Sequence, residues 1–355
     1  MRAATSHLTI DGSYGEGGGA LLRTALVMSA MTVQPVRISN VRANGRYAGL
    51  DAEDLTLLRG IAELASGEME GDQLGSHELI FVPKRRPRGM SGTIRTVRNS
   101  GGRGANALIT ATWMLPVLAR SGMYGDVMFE GETYGLNALS YDAFAHGTLG
   151  VLREFGLYAY PTLQYAGFGR EANGKVRVEV EPSAMSGLRW LDRGGMRSVE
   201  AYIVAHGLPS SVAERAETHL SQLARSQGIP LVTHVEPIDA DGPGVFITLV
   251  ARYERGLGTG TSLGTKGLRV EAVATQAWDQ LTTWMRTDAT VDPYLADQVL
   301  LPAIFADGET VFRVNELTSR LLTQIWVIKQ FGPVRILVKG NEGGPGTVQI
   351  HSEAA

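Results

Sequence analysis

Apolar residues in this chain gather into two kinds of run. In the first, typified by ALLRTALVMSAM at Ala20–Met31, nearly every position is apolar, so a helix there has no solvated face and must lie between layers. Ala105–Ala119 and Tyr294–Phe305 read the same way. Each is followed by a short alternating or β-branched segment, Val36–Val41, Asp126–Glu130 and Thr310–Val314, which predicts a strand. In the second kind, apolar residues return with helical period and leave a polar face, as in Ala52–Leu64, Tyr141–Phe155, Val270–Met285 and Ser319–Phe331. A strand is predicted after the last of these, at Val334–Val338. The recurrence predicts an α/β fold whose large domain holds about three repeated βαβα units, spaced too irregularly for a solenoid. A chance likeness among buried helices is the alternative.

Residues 184–270 break the rhythm. They predict strand Ser198–His206, helix Ser210–Ser226 opened by a serine N-cap, and strands Leu231–Glu236 and Val245–Tyr253. This βαββ pattern has the size of a small inserted α/β domain. The Gly-rich stretch RGLGTGTSLGTKG at 255–267 then reads as a connector back to the main body. The expected division is therefore a discontinuous large domain, 1–183 and 271–355, around an insert at 184–270.

With 355 residues, 44% of them hydrophobic and 19% charged, the chain can bury a large core and is not disordered. The absence of cysteine excludes disulfides, thiolate metal sites and a cysteine nucleophile. A net charge of −3 excludes a protein that coats nucleic acid with its whole surface, so any such contact is local. The first twenty residues lack the apolar core of a signal peptide, and no apolar run reaches ~18 residues. A cytoplasmic protein with no membrane partner is expected; the sequence does not fix its oligomeric state. Glycine, at 44 residues or about 12%, exceeds the usual ~7%.

Part of that excess lies in DGSYGEGGG at 11–19, between a predicted strand and a predicted helix. Glycines there let backbone N–H groups approach an anion at a helix N-terminus, and Glu16 is the one charged side chain within the glycine run. A tight structural turn fits these residues equally well. The segment matches neither the P-loop nor the dinucleotide fingerprint. KRRPRG at 84–89, with Arg95, Arg98 and Arg103, is the densest basic stretch and reads either as an RNA-phosphate contact or as a solvated loop. Trp113, Trp278, Trp284 and Trp326 fall at helical positions and are expected in the core. No His, Asp and Glu group has the spacing of a zinc site.

DGSYGEGGGALLRTAL resembles the opening signature of the RNA 3′-terminal phosphate cyclase family, DGS-x-GEGGG-x-x-LR. The resemblance continues through GDQLGSHELIFVP (71–83), DRGGMRSVEAYIVAHGLPSSVAERAE (192–217), DGPG (241–244), YLADQVLLPAIFA (294–306) and LTSRLLTQIWVIKQFGPVRI (317–336), so it covers essentially the whole chain. It implies a reaction in which a histidine takes AMP from ATP, passes it to an RNA 3′-phosphate, and the 2′-hydroxyl closes a 2′,3′-cyclic phosphate. ATP, Mg²⁺ or Mn²⁺ and an RNA 3′ end are the implied cofactors and partner; no DNA partner is implied. By the same resemblance Glu16 approaches the metal, and Arg23 and Arg42 bind RNA or phosphate. Tyr294, Leu295, Ala296, Asp297, Gln298 and Thr112 face the nucleotide.

One position departs from the pattern decisively. The family's S-x-H-L-L-T-N reads here Thr318-Ser319-Arg320-Leu321-Leu322-Thr323-Gln324, so Arg320 stands in the nucleophile's place. A guanidinium stays protonated and offers no lone pair to phosphorus, whereas it grips phosphate bidentately. The family's P-G-L-x-x-Q-H ends here in Glu53 and Asp54, and its G-G-T-D-N-P reads Gly131-Glu132-Thr133-Tyr134-Gly135-Leu136. The sequence thus carries two readings. One is a cyclase of the ATP-dependent ligase class with its adenylation step in doubt. The other is a pseudoenzyme, a non-catalytic RNA-binding, RNA-processing or ribosome-assembly relative. Arg320 could equally be an ion-pair partner of Glu16 or Asp297 that fills the vacated pocket.

Overall fold

A computed structural model describes residues 7–136 and 138–352. Strand β1 (Leu8–Asp11) passes through the Gly-rich turn into α1 (Gly19–Thr32), then β2 (Val36–Ser39), α2 (Ala52–Ala65), β3 (Glu68–Glu70) and β4 (Leu79–Val82). The strands lie in the order β1-β2-β4-β3, the first pair parallel and the others antiparallel. The same sequence of elements returns as β5 (Ser91–Arg95), α3 (Ala107–Ala119), β6 (Gly125–Gly131), a π-helical segment Ala143–Thr148 running into α4 (Leu149–Glu154), β7 (Ala159–Gly167) and β8 (Gly174–Val180). Here the order is β5-β6-β8-β7, with the same directions.

A third copy opens with β9 (Arg189–Trp190) and is interrupted by β10 (Met196–His206), α5 (Ser211–Ser226), β11 (Val232–Val235), β12 (Ala240–Asp241), β13 (Gly244–Tyr253), β14 (Gly256–Leu263) and α6 (Val270–Met285). It resumes as α7 (Pro293–Phe305), β15 (Gly308–Val314), α8 (Ser319–Gln330), β16 (Arg335–Gly340) and β17 (Gly346–Ser352), and its strands again lie as β9-β15-β17-β16. The fold is α/β, with three repeats around one interruption.

The apolar helices α1, α3 and α7 meet in one large hydrophobic cluster, as their lack of a polar face demands. Two of them carry the mark of a common plan. Asn106 caps α3 by accepting from Leu108 N and Ile109 N, both at 3.0 Å, and Asp292 caps α7 by accepting from Tyr294 N (2.8 Å) and Leu295 N (2.9 Å). Each helix then contains a proline ten residues after its cap, Pro116 and Pro302.

Three expectations change. Tyr141–Phe155 is not a single amphipathic α-helix, because its first turns widen into the π-helical segment. Ser210 precedes α5 without a side-chain cap bond. The Gly-rich stretch 255–267 is no connector: most of it is β14, paired antiparallel with β13 so that Gly260 faces Leu249. Its glycines let α6 press onto the sheet. A Cβ on Gly258 would sit 2.3 Å from the Trp284 ring, and one on Gly260 2.2 Å from the Ala277 carbonyl oxygen. Helix α6 accordingly packs with α5, β10, β13 and β14 in a second hydrophobic cluster rather than with the repeats.

Candidate functional site

Four segments converge where the third repeat meets the insert, and each is fixed by local chemistry. The Gly-rich turn is pinned at its start by Asp11, whose carboxylate accepts from Ser13 N (3.0 Å), Ser13 Oγ (2.7 Å) and Asn40 Nδ2 (3.2 Å). Gly15 and Gly17 lie at φ +59° and +61°, where glycine is favoured. A Cβ at Gly15 would meet Thr323 Oγ1 at 2.2 Å, so the turn lies directly on α8. Glu16 N donates to the same Thr323 Oγ1 at 3.0 Å. Thr318 caps α8, accepting from Leu321 N at 3.1 Å, and places Arg320 in the first turn. Asp292 caps α7 and reaches across to accept from Thr259 N and Thr259 Oγ1 of β14, both at 2.8 Å.

Together they border a cleft of about 370 Å³. Of the residues expected at the site, Arg320, Tyr294, Leu295, Asp297, Gln298, Thr112 and Arg23 line it. Ala296 is turned into the core, fully buried. Glu16 meets Arg320 at the rim: Arg320 Nε lies 3.5 Å from Glu16 Oε2, and Arg320 Nη1 lies 3.4 Å from Asp297 Oδ2. Burial opposes the charge on Arg320, but the carboxylates of Asp297 and Glu16 hold its proton above the ordinary arginine range. Burial pushes Asp297 up to about 7, with Arg320 opposing and Glu16 adding to the rise. Its second oxygen, Oδ1, is buried without a hydrogen-bond partner.

Arg23 and Arg42 are not free. Arg23 donates to Asp54 Oδ1 at 3.1 Å, lies 3.6 Å from Glu53 Oε2 and covers the Trp113 ring at 5.6 Å. Arg42 lies 2.6 Å from Asp54 Oδ2 and 2.7 Å from Asp51 Oδ2, outside the cleft lining. Asp54 is fully buried between the two guanidiniums. Burial and Asp51 nevertheless raise it to about 6 against their pull. The two acids that stand in the Gln and His positions of the family's pattern thus both engage these arginines, together with Asp51. Part of the basic run is engaged as well: Lys84 pairs with Glu68 at 2.7 Å, and Arg85 donates to Ser66 Oγ at 2.8 Å, while Arg86 and Arg88 are exposed. Arg98 holds the carbonyls of Gly102, Glu171 and Ala172.

The far wall of the cleft is built from residues that no motif in the sequence marks. Thr259, Thr261 and Ser262 of β14, with Gln276 and Gln280 of α6, line the cleft. Gln276 accepts from Ser262 Oγ (2.9 Å) and Gln280 from Thr261 N (3.0 Å). The two glutamines stand four residues apart, a one-face signal that was readable once β14 is a strand. Gln324 was also missed. It is fully buried at the floor, and neither its amide nitrogen nor its oxygen has a partner. A lone amide among the apolar positions of α8 was its signal. Gln298 accepts from Thr148 Oγ1, at 2.5 Å, on the π-helical segment. Trp278 and Trp284 are core residues as expected, but Trp113 borders the cleft and Trp326 stacks on Tyr14 with centroids 3.8 Å apart.

A family profile described as RNA 3′-terminal phosphate cyclase matches residues 14–338. The RNA 3′-terminal phosphate cyclase of Methylococcus capsulatus is 34% identical over 352 residues, covering 98% of this chain and 97% of the relative. That of Methanopyrus kandleri is also 34% identical, covering 98% and 99%. Among solved structures, the enolpyruvyl transferase NikO from Streptomyces tendae aligns with 98% of this chain and 48% of its own, at 12% identity and a TM-score of 0.42. The profile and the full-length relatives agree with the motifs gathered around this cleft: the chain belongs to the RNA 3′-terminal phosphate cyclase family.

Proposed function

We propose that this chain binds the 3′-phosphorylated end of an RNA non-covalently in the cleft, with Arg320 as the phosphate ligand, and forms no adenylate on itself. The observation that carries the reading is the state of Arg320. Its contacts at 3.4 and 3.5 Å are longer than the ~2.7–2.9 Å of a tight charge-assisted bond, and its side chain is 47% exposed. The guanidinium is oriented by Glu16 and Asp297 yet keeps donors for an incoming phosphate. It has no lone pair with which to attack one.

The donor set does not favour the implied divalent ion. Glu16 and Asp297 are joined by a cation already, and among the described residues no three His, Asp or Glu side chains come together as ligands. The nucleotide side of the cleft keeps Tyr294, Asp297 and Gln298, so ATP is proposed as a second, non-covalent ligand.

Incubation with ATP labelled at the α-phosphate and Mg²⁺ or Mn²⁺ tests the covalent half; no label is expected on the denatured protein. Anisotropy with matched RNA strands tests the other half. A 3′-phosphorylated strand is expected to bind at least several-fold more tightly than its 3′-hydroxyl twin, with affinity falling as salt rises. Stable labelling of the protein, or equal binding of the two strands, overturns the proposal.

A further inference from the structure

The contact between the Gly-rich turn and α8 continues past Arg320, and its far end has an unused feature. Arg320, Thr323 and Trp326 stand at i, i+3 and i+6, forming one ridge of α8. The turn runs along that ridge residue by residue. Glu16 pairs with Arg320, Gly15 lies on Thr323, and Tyr14 stacks on the Trp326 ring at 3.8 Å and 16°. Trp326 is partly buried against the main core cluster, which fixes it, while Tyr14 is 45% exposed. A neighbouring loop is tied to the turn through Asn44 Nδ2, which donates to Ser13 O at 2.8 Å. It presents Tyr47, 75% exposed, with the Arg46 guanidinium 5.4 Å from its ring.

An exposed, flat, pre-stacked aromatic beside cationic groups is the arrangement on which single-stranded nucleic acid bases stack. A hydrophobic core has no use for the outer face of Tyr14, and the loop is already held by Asp11, Asn44 and Thr323 without it. About 9 Å of helix rise separates Trp326 from Arg320, so a strand anchored at Arg320 and running along this ridge reaches the tyrosine. We infer that Tyr14, backed by Trp326, is a stacking platform for a nucleobase of a single-stranded RNA whose 3′-phosphate lies at Arg320. The inference rests on the RNA-end reading above. Recognition at the platform is by stacking and so tolerates any base, with Arg46 and Tyr47 extending the surface along the strand.

Fluorescence anisotropy with a 3′-phosphorylated RNA of about ten nucleotides, intact or with single abasic positions near the 3′ end, tests it. Wild type is expected to lose about tenfold in affinity when one such position is abasic, and Tyr14→Ala to lose about tenfold on the intact strand. The two losses should not add, because each removes one partner of the same stack. Tyr14→Phe, which keeps the ring, should bind as wild type and shows that the turn is still formed. Affinity unchanged in Tyr14→Ala, or an abasic penalty as large in Tyr14→Ala as in wild type, overturns the platform. If wild type itself does not prefer the 3′-phosphorylated strand, the RNA-end reading fails, and the platform falls with it.

Discussion

At the scale of single residues, the chemistry turns on what each charged group is already bound to. Arg320 was legible in the sequence because its motif is continuous in the chain. Its partners were not, since Glu16 comes from the other end of the chain and Asp297 from a different helix. The surroundings of Arg42 were equally hidden: its ion pairs with Asp51 and Asp54 exist only in the folded geometry. Arg320→Ala is expected to cost about tenfold or more in affinity for 3′-phosphorylated RNA, the order of a lost hydrogen bond to a charged group, and to erase the preference over the 3′-hydroxyl strand. Arg320→Lys should recover only part, because an ammonium lacks the planar fork. Asp297 adds a pH term. With its proton held to about pH 7, the neutral Asp297 carboxyl leaves a phosphate at Arg320 unopposed, whereas the carboxylate repels it and competes for the guanidinium. The RNA phosphate takes its second charge near pH ~6 with any variant, so the difference between proteins isolates Asp297. Wild-type affinity relative to Asp297→Asn should fall as pH rises from 6 to 8, measured by anisotropy; a constant ratio would show that the Asp297 proton plays no part.

At the scale of elements, the apolar helices were legible because nothing but a buried position accommodates an all-round apolar surface, and α1, α3 and α7 occupy it. β14 was not. Glycine is a poor strand former and a good linker residue, and its place in β14 follows from the Trp284 ring and the α6 backbone, which lie later in the chain. A single methyl tests this. Gly260→Ala drives a Cβ to 2.2 Å from the Ala277 carbonyl oxygen, in backbone that cannot swing aside, so α6 must lift from the sheet. A destabilisation of about 1–3 kcal/mol is expected from overpacking, read as a lower urea midpoint, together with weaker ligand binding because Thr261 and Ser262 move with the strand. Asp292 makes the complementary case. Its carboxylate serves both the α7 N-terminus and Thr259 of β14, so it clamps the two walls of the cleft. Asp292→Ala should cost about 2 kcal/mol or more, since it removes a cap and leaves buried donors unpaired, while Asp292→Asn, which can still accept, should lose less.

At the scale of the whole molecule, the repeats could be counted in the sequence, but the seam between the second repeat and the insert could not, because its residues are scattered from 134 to 246. There β12 adds to the edge of β7, and Tyr134 packs against Phe168 and Phe246 while donating to Asp142 Oδ2 at 3.1 Å. Burial raises Asp142 to about 7, the Tyr134 hydroxyl opposing and Glu236 adding slightly. Across the same seam His146 stacks on Tyr202, which stacks on His234, and burial lowers His146 to about 4, with Arg252 next in effect. The two groups act in opposite senses. A carboxyl whose folded pKa exceeds its unfolded value of 3.8 gives stability that is full below that value and lost as pH rises toward 7. A histidine lowered from 6.5 gives stability that is full above 6.5 and lost as pH falls toward 4. Between pH 4 and 6.5 they offset each other, so the wild-type melting temperature should be flatter across that window than either group alone would make it. Asp142→Asn keeps an acceptor for Tyr134 and removes the ionisation. Its melting temperature should match wild type near pH 4, exceed it by an amount that grows up to pH 7, and stay above it at pH 8. The opposite ordering at pH 8 would mean that Asp142 folds as a stabilising carboxylate and that the seam is hydrated.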